Sequence, residues 1–159
     1  MLQPTYEMLD HTADLELRLR APDFGLLCAT AAEALAPELG LEKKTDEEEE
    51  LGQIHAKGPT PELGLEKKTD GEEVSFSLSA PDEAALLVDF INELIYYADA
   101  KSLVLHDVTA RQTEGTTLLV HCRASRAARP PRVKAATLHG LTIEHEPSGM
   151  LSARVILDM

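Results

Sequence analysis

The stretch Asp10-His11-Thr12-Ala13-Asp14 puts two carboxylates, an imidazole and a hydroxyl just ahead of a strand-like run. The far end of the sequence reads Arg154-Val155-Ile156-Leu157-Asp158-Met159. There Asp158 and the α-carboxylate of Met159 are one Cα step of ~3.8 Å apart. Carboxylates this close repel unless a cation or a basic side chain sits between them. A hard divalent ion, calcium above all, takes about six to eight oxygens at ~2.3–2.6 Å and accepts irregular geometry. If the last strand lies beside the strand that follows the first motif, Asp14, Asp158 and Met159 form a compact oxygen nest. The same residues also read without any metal: Asp10 starts a turn, Asp14 caps a strand, and Asp158 is a solvated chain end.

Other chemistries lack their residues. There is no GxxxxGK[ST] phosphate loop, no GxGxxG after a strand and no GxSxG elbow. The six histidines are scattered. His106 precedes Asp107 and His121 precedes Cys122, but neither spacing supplies the four convergent ligands that zinc wants. Cys28 and Cys122 are isolated in apolar surroundings. They are expected to be reduced core thiols, which suits the cytoplasm.

Both ends of the chain must be held by ordinary secondary structure. Leu15, Leu17 and Leu19 alternate with Glu16, Arg18 and Arg20, the pattern of a half-buried strand. Tyr6–Leu9 is expected as a short strand before it. Pro22 and Asp23 open a helix whose apolar face is Phe24, Leu27, Cys28, Ala31 and Leu35, closed by Pro37 and Gly40. Val74, Phe76 and Leu78 alternate in a further strand. Pro81, Asp82 and Glu83 then start a long helix with a stripe through Leu86, Leu87, Phe90, Ile91, Leu94 and Ile95. Asp89, Asn92 and Glu93 occupy its flanks. A hairpin is expected over 103–123 and another over 133–159. The order predicts an α+β fold: a mostly antiparallel sheet of about six strands, with two helices packed on one face.

PELGLEKKTD occurs at 37–46 and again, unchanged, at 61–70. One direct repeat is not a solenoid. The sequence therefore predicts one domain over 1–159 carrying an acidic duplicated loop at about 47–70. Removing 47–70 joins KKTD to GEEVSFSL, which reads as a turn entering a strand.

The chain has 159 residues, 43% of them apolar and 27% charged, with a formal net charge of −13. Such an acidic chain is repelled by phosphate backbones, so strong direct binding to nucleic acid is not expected. A basic protein surface or a divalent cation fits better. No run approaches the ~20 apolar residues of a membrane span, and MLQPTYEM has no basic-then-apolar signal layout.

Several stretches together are more specific. YEMLDHTADLELRLRA, LLVDFINELIYY, VKAATLHGL and the terminal RVILDM occur in the order found in the archease family, and the sequence resembles that family over nearly its whole length apart from 47–70. The resemblance implies a small α+β accessory protein, itself not an enzyme. Its partner would be an RtcB-type RNA ligase, which joins tRNA halves after intron removal. The accessory protein would promote ligase guanylylation and multiple turnover. The resemblance also implies calcium held by Asp14, Asp158 and Met159, and partner activation through Lys134. Asp89 and Glu93 fall in the family's helix box. An alternative is chaperone-like modulation of RNA-modifying enzymes such as tRNA methyltransferases; a stand-alone metal-dependent hydrolase is a third reading. The sequence departs from the family pattern at Ala136 and Leu138, and where ARPPR replaces a His-Pro-x-Gly lead-in.

Overall fold

A computed structural model describes residues 3–10, 13–42 and 71–159. His11, Thr12 and the duplicated loop at 47–70 lie outside the described residues. The strands are β1 (Thr5–Asp10), β2 (Asp14–Ala21), β3 (Glu72–Ser79), β4 (Leu103–Thr113), β5 (Thr117–Arg126), β6 (Ala135–His145) and β7 (Leu151–Asp158). Helix α1 spans Phe24–Leu35 and helix α2 spans Glu83–Lys101.

Both helices start as their sequences require. The carboxylate of Asp23 accepts from the Leu26 N–H at 2.8 Å, and that of Asp82 accepts from the Ala85 N–H at 2.8 Å. Each satisfies a backbone donor that a helix start leaves without a partner. Helix α2 ends on Ser102 in the left-handed region, with Lys101 in its last turn, where a cation complements the carbonyl end of the helix.

The α+β class, the antiparallel pairing and the two helices are as expected. Among the described residues the strands number seven and divide between two sheets. One runs β1-β2-β7-β6 and the other β3-β5-β4. The division follows from the order of pairing: β2 is completed by the last strand of the chain, while β3 pairs with β5. The helices consequently touch both sheets, α1 between β2 and β4, and α2 between β6 and the β3–β4 side. Close approach of α1 to β4 requires Gly25, because a Cβ there would collide with the Ala110 carbonyl.

The core is the shared interior. Leu15, Leu17, Leu19 and Ala21 on β2 meet Leu151, Ala153, Val155 and Leu157 on β7, with Phe24, Leu27, Leu35, Leu86, Phe90, Ile91 and Leu94 from the helices. Both cysteines are free and buried there. Burial pushes the Cys122 thiol up to about 11 and Cys28 higher still, which makes both poor nucleophiles. No helix among the described residues is long and apolar enough to cross a membrane.

The first repeat copy has defined work. Leu39 is buried, and the Gly40 carbonyl accepts from the Ala128 N–H at 2.7 Å. The Glu38 carbonyl accepts from the Arg132 N–H at 2.8 Å, and its carboxylate pairs with the Arg132 guanidinium at 2.9 Å. A chain lacking 47–70 keeps one complete PELGLEKKTD, so all of these contacts survive. Since loop-closure cost changes by only ~0.6 kcal/mol per doubling of length, that deletion should melt cooperatively within a few degrees of the full chain. Loss of the cooperative transition in a calorimetric scan would show that the segment is needed for folding.

Candidate metal centre

Eight residues of β2 pair antiparallel with β7, and the first register pair is Asp14 opposite Asp158. Directly opposed residues project from the same face, with Cβ atoms ~4.5–5.5 Å apart. That is the outer face, since the next residues inward, Leu15 and Leu157, are buried together in the core. The last strand therefore does lie beside the strand that follows Asp14.

Two further elements converge on this end. The Lys134 N–H donates to the Asp158 carbonyl at 2.8 Å, and Ala135 is the register partner of Asp158 on the other side. The Met159 N–H reaches the Ala13 carbonyl at 3.4 Å, while its side chain packs against the core. Asp14, Lys134, Asp158 and Met159 thus share one end of the four-stranded sheet. Lys134 is exposed, but Val133 beside it is only 1% exposed and anchors the segment. Among the described residues, neither Asp14 nor Asp158 has an ion-pair partner. Asp10 pairs with Leu15, one step out of phase with Asp14, so it projects toward the opposite face.

The donor chemistry is oxygen alone, which suits a hard cation. No group of three or more His, Cys, Asp or Glu side chains able to hold a metal occurs among the described residues. A cation held by Asp14 and Asp158 therefore needs main-chain, terminal-carboxylate or water oxygens to complete its shell.

Two important residues are not evident from the sequence. Glu16 reads as the exposed partner of Leu15 and Leu17, yet it is only 3% exposed. Its Oε2 accepts from Arg18 Nε at 2.7 Å and from Arg154 Nε at 2.8 Å. Arg18 and Arg154 are direct register partners, and Glu16 relieves the repulsion between them. Asn92 reads as a helix flank. Its amide instead donates to the Ala136 carbonyl at 3.2 Å and accepts from the Ala136 N–H at 2.8 Å. An edge strand leaves such groups without a partner, and this one amide satisfies both. Asn92 thereby ties α2 to the start of β6, two residues from Lys134. On the same helix Asp89 is exposed and Glu93 is half-buried.

A doubly sheeted α+β domain whose first and last long strands pair to oppose two aspartates defines the class of protein. Residues 63–159 match the Archease protein family (MTH1598/TM1083). The chain belongs to the archease family. Among solved structures it is similar to an archease and possible chaperone from Thermotoga maritima (TM1083), with a TM-score of 0.62 and 20% identity, over 95% of this chain and 94% of that one. It is also similar to protein 1598 of Methanobacterium thermoautotrophicum, with a TM-score of 0.59 and 24% identity, over 97% of this chain and 98% of that one. No curated protein matches it.

Asn92→Ala leaves the N–H and C=O of Ala136 without their helix partner. The expected loss is about 1–3 kcal/mol of unfolding free energy, read as a lower urea midpoint at unchanged slope. A midpoint equal to the parent's would mean that water replaces the amide without cost.

Proposed function

We propose that this chain is an accessory protein of an RtcB-type RNA ligase, and that it promotes ligase guanylylation and turnover in tRNA exon joining. Membership of the archease family supports the role. The observation that carries the site is the opposition of Asp14 and Asp158 on paired strands, with Lys134 bonded to the Asp158 backbone.

Asp14 and Asp158 hold a divalent cation, calcium by preference, with the α-carboxylate of Met159 when the chain stops there. Bound there, the cation supplies fixed positive charge at an otherwise repulsive pair of carboxylates. In the partner's nucleotidyl-transfer reaction the chain itself transfers no group. The net charge of −13 steers it toward the basic cleft of a protein that handles RNA and nucleotide. Lys134 is exposed at the same end and presents an ammonium to the partner's nucleotide phosphates. Donors and cations placed where charge develops lower the barrier to nucleotidyl transfer without reorganisation at the moment of reaction. Asn92 and Val133 hold the backbone that carries Lys134, so they act as positioning residues. The cytoplasm, where tRNA halves and reduced thiols coexist, is the setting this reading assigns.

A second reading is chaperone-like modulation of RNA-modifying enzymes; the Thermotoga relative is described as a possible chaperone. The two readings separate on one assay. A cognate ligase is incubated with GTP and metal, and covalent GMP attachment is followed with and without this protein. Parent protein should raise the rate. Lys134→Ala should abolish that rise while leaving calcium affinity intact. Asp158→Ala should abolish it and also weaken calcium binding by at least the ~10–100-fold that loss of a supporting group alone costs at metal sites. Full stimulation by both variants would reject the assigned site, whereas no effect of parent protein on GMP attachment would reject the ligase reading and leave the chaperone one.

A further inference from the structure

The three-stranded sheet carries a second cluster, on the other sheet from the paired aspartates. His106 Nε2 lies 2.6 Å from the Ser125 hydroxyl, and His106 Nδ1 lies 3.2 Å from Asp107 Oδ2. The order hydroxyl, imidazole, carboxylate is that of an activated serine: a nucleophile within reach of a base that a third group orients.

The backbone is shaped to make this cluster. Strand β4 pairs regularly with β5 up to His106, opposite Arg123, and resumes at Thr109, opposite His121. The extra residue is a β-bulge, which re-aims the side chains around it. Asp107 sits in it with φ of 51°, a left-handed conformation that aspartate tolerates better than most residues. That turn brings the Asp107 carboxylate back onto the ring of its own neighbour. A carboxylate accepts only, so Nδ1 carries the proton and the Nε2 lone pair faces Ser125.

Access is provided on the other side. Ser125 lines a shallow groove with Gly71, Glu72, Leu103, Ala124 and Arg126. Gly71, at φ of +91°, has no side chain; a Cβ there would come within 3.0 Å of the Ser125 hydroxyl oxygen. Ser125 is half-buried and Arg126, exposed in the same groove, offers a cation to an anionic group.

We propose that Ser125 is an activated nucleophile that takes an acyl group from an activated ester. The Ser125 oxygen bonds to the acyl carbon, and its proton passes to His106 Nε2. The bond from the acyl carbon to the leaving oxygen breaks, and that oxygen takes the proton from His106. The products are an acyl-serine and a free alcohol, with no change of oxidation state. Asp107 is a positioning residue. Its side chain is 73% exposed, so water screens it and its removal costs less than removal of the imidazole.

The test uses the full chain and p-nitrophenyl acetate. Parent protein should release a burst of p-nitrophenolate, and peptide mass mapping should place one acetyl group on Ser125. Ser125→Ala should lose that adduct. His106→Gln should slow its formation by about 100-fold, the usual scale of a general base, and Asp107→Asn by less. Circular dichroism checks the fold of each variant. If Ser125→Ala does not fold, the comparison of parent with His106→Gln decides alone. Acetylation scattered over lysines with none on Ser125 would overturn the proposal. So would Ser125 acetylation at the parent rate in His106→Gln.

Discussion

The pairing of β2 with β7 is the constraint on which the rest of the molecule depends. It joins residues 14–21 to residues 151–158 across almost the whole sequence. A slip of one residue would turn an entire face of β2 from core to solvent. Leu15, Leu17 and Leu19 are each at most 2% exposed. Burying a side chain of this size is worth ~1.5–3 kcal/mol, so a slip forfeits several times that amount. Two carboxylates ~4 Å apart repel by between about 1 kcal/mol in water and about 4 kcal/mol at a surface-like dielectric. The apolar term wins. The core therefore imposes an opposition of Asp14 and Asp158 that their own charges disfavour, and such a pair is a natural place for a cation.

The outer face of the same sheet shows how the fold treats its other charges. Glu16 sits between Arg18 and Arg154, and Arg154 also donates to the Gly140 carbonyl at 3.0 Å. At the far end Arg20 pairs with Glu146 at 2.7 Å and holds that carboxyl below its usual range. Against this background of matched charges, Asp14 and Asp158 have no ion-pair partner among the described residues, and Lys134, whose N–H bonds the Asp158 carbonyl, is exposed at the same end. On the proposed reading, that end is where the domain meets a partner. Asn92 matters for the same reason: one buried-side amide holds the edge strand from which Lys134 projects.

Much of this was legible in the sequence. The alternation of Leu15, Leu17 and Leu19 marks β2, the stripe from Leu86 to Ile95 marks α2, and Asp23 and Asp82 mark the helix starts, because these signals are local. The division into two sheets is not local: it depends on which distant strands pair, and strand patterns do not name their partners. Glu16 reads as exposed because its neighbours alternate with it; only the register that sets Arg18 against Arg154 explains its burial. Asn92 and the His106–Ser125 contact are likewise products of tertiary placement. The terminal aspartates lie between these cases. Their residue types suggested a cation and the family resemblance selected them, but only the register places them opposite each other.

Thermal melting with and without calcium tests the central claim most directly, applied to the parent chain, Asp14→Asn, Asp158→Asn and the double variant. Without calcium, each Asn variant relieves the forced repulsion and should melt at or above the parent temperature. With calcium, the parent midpoint should rise as a ligand that binds only the folded state requires. Either single variant should lose that rise, and the double variant should lose no more. A calcium-dependent rise that persists undiminished in the cooperatively folded double variant would contradict the account.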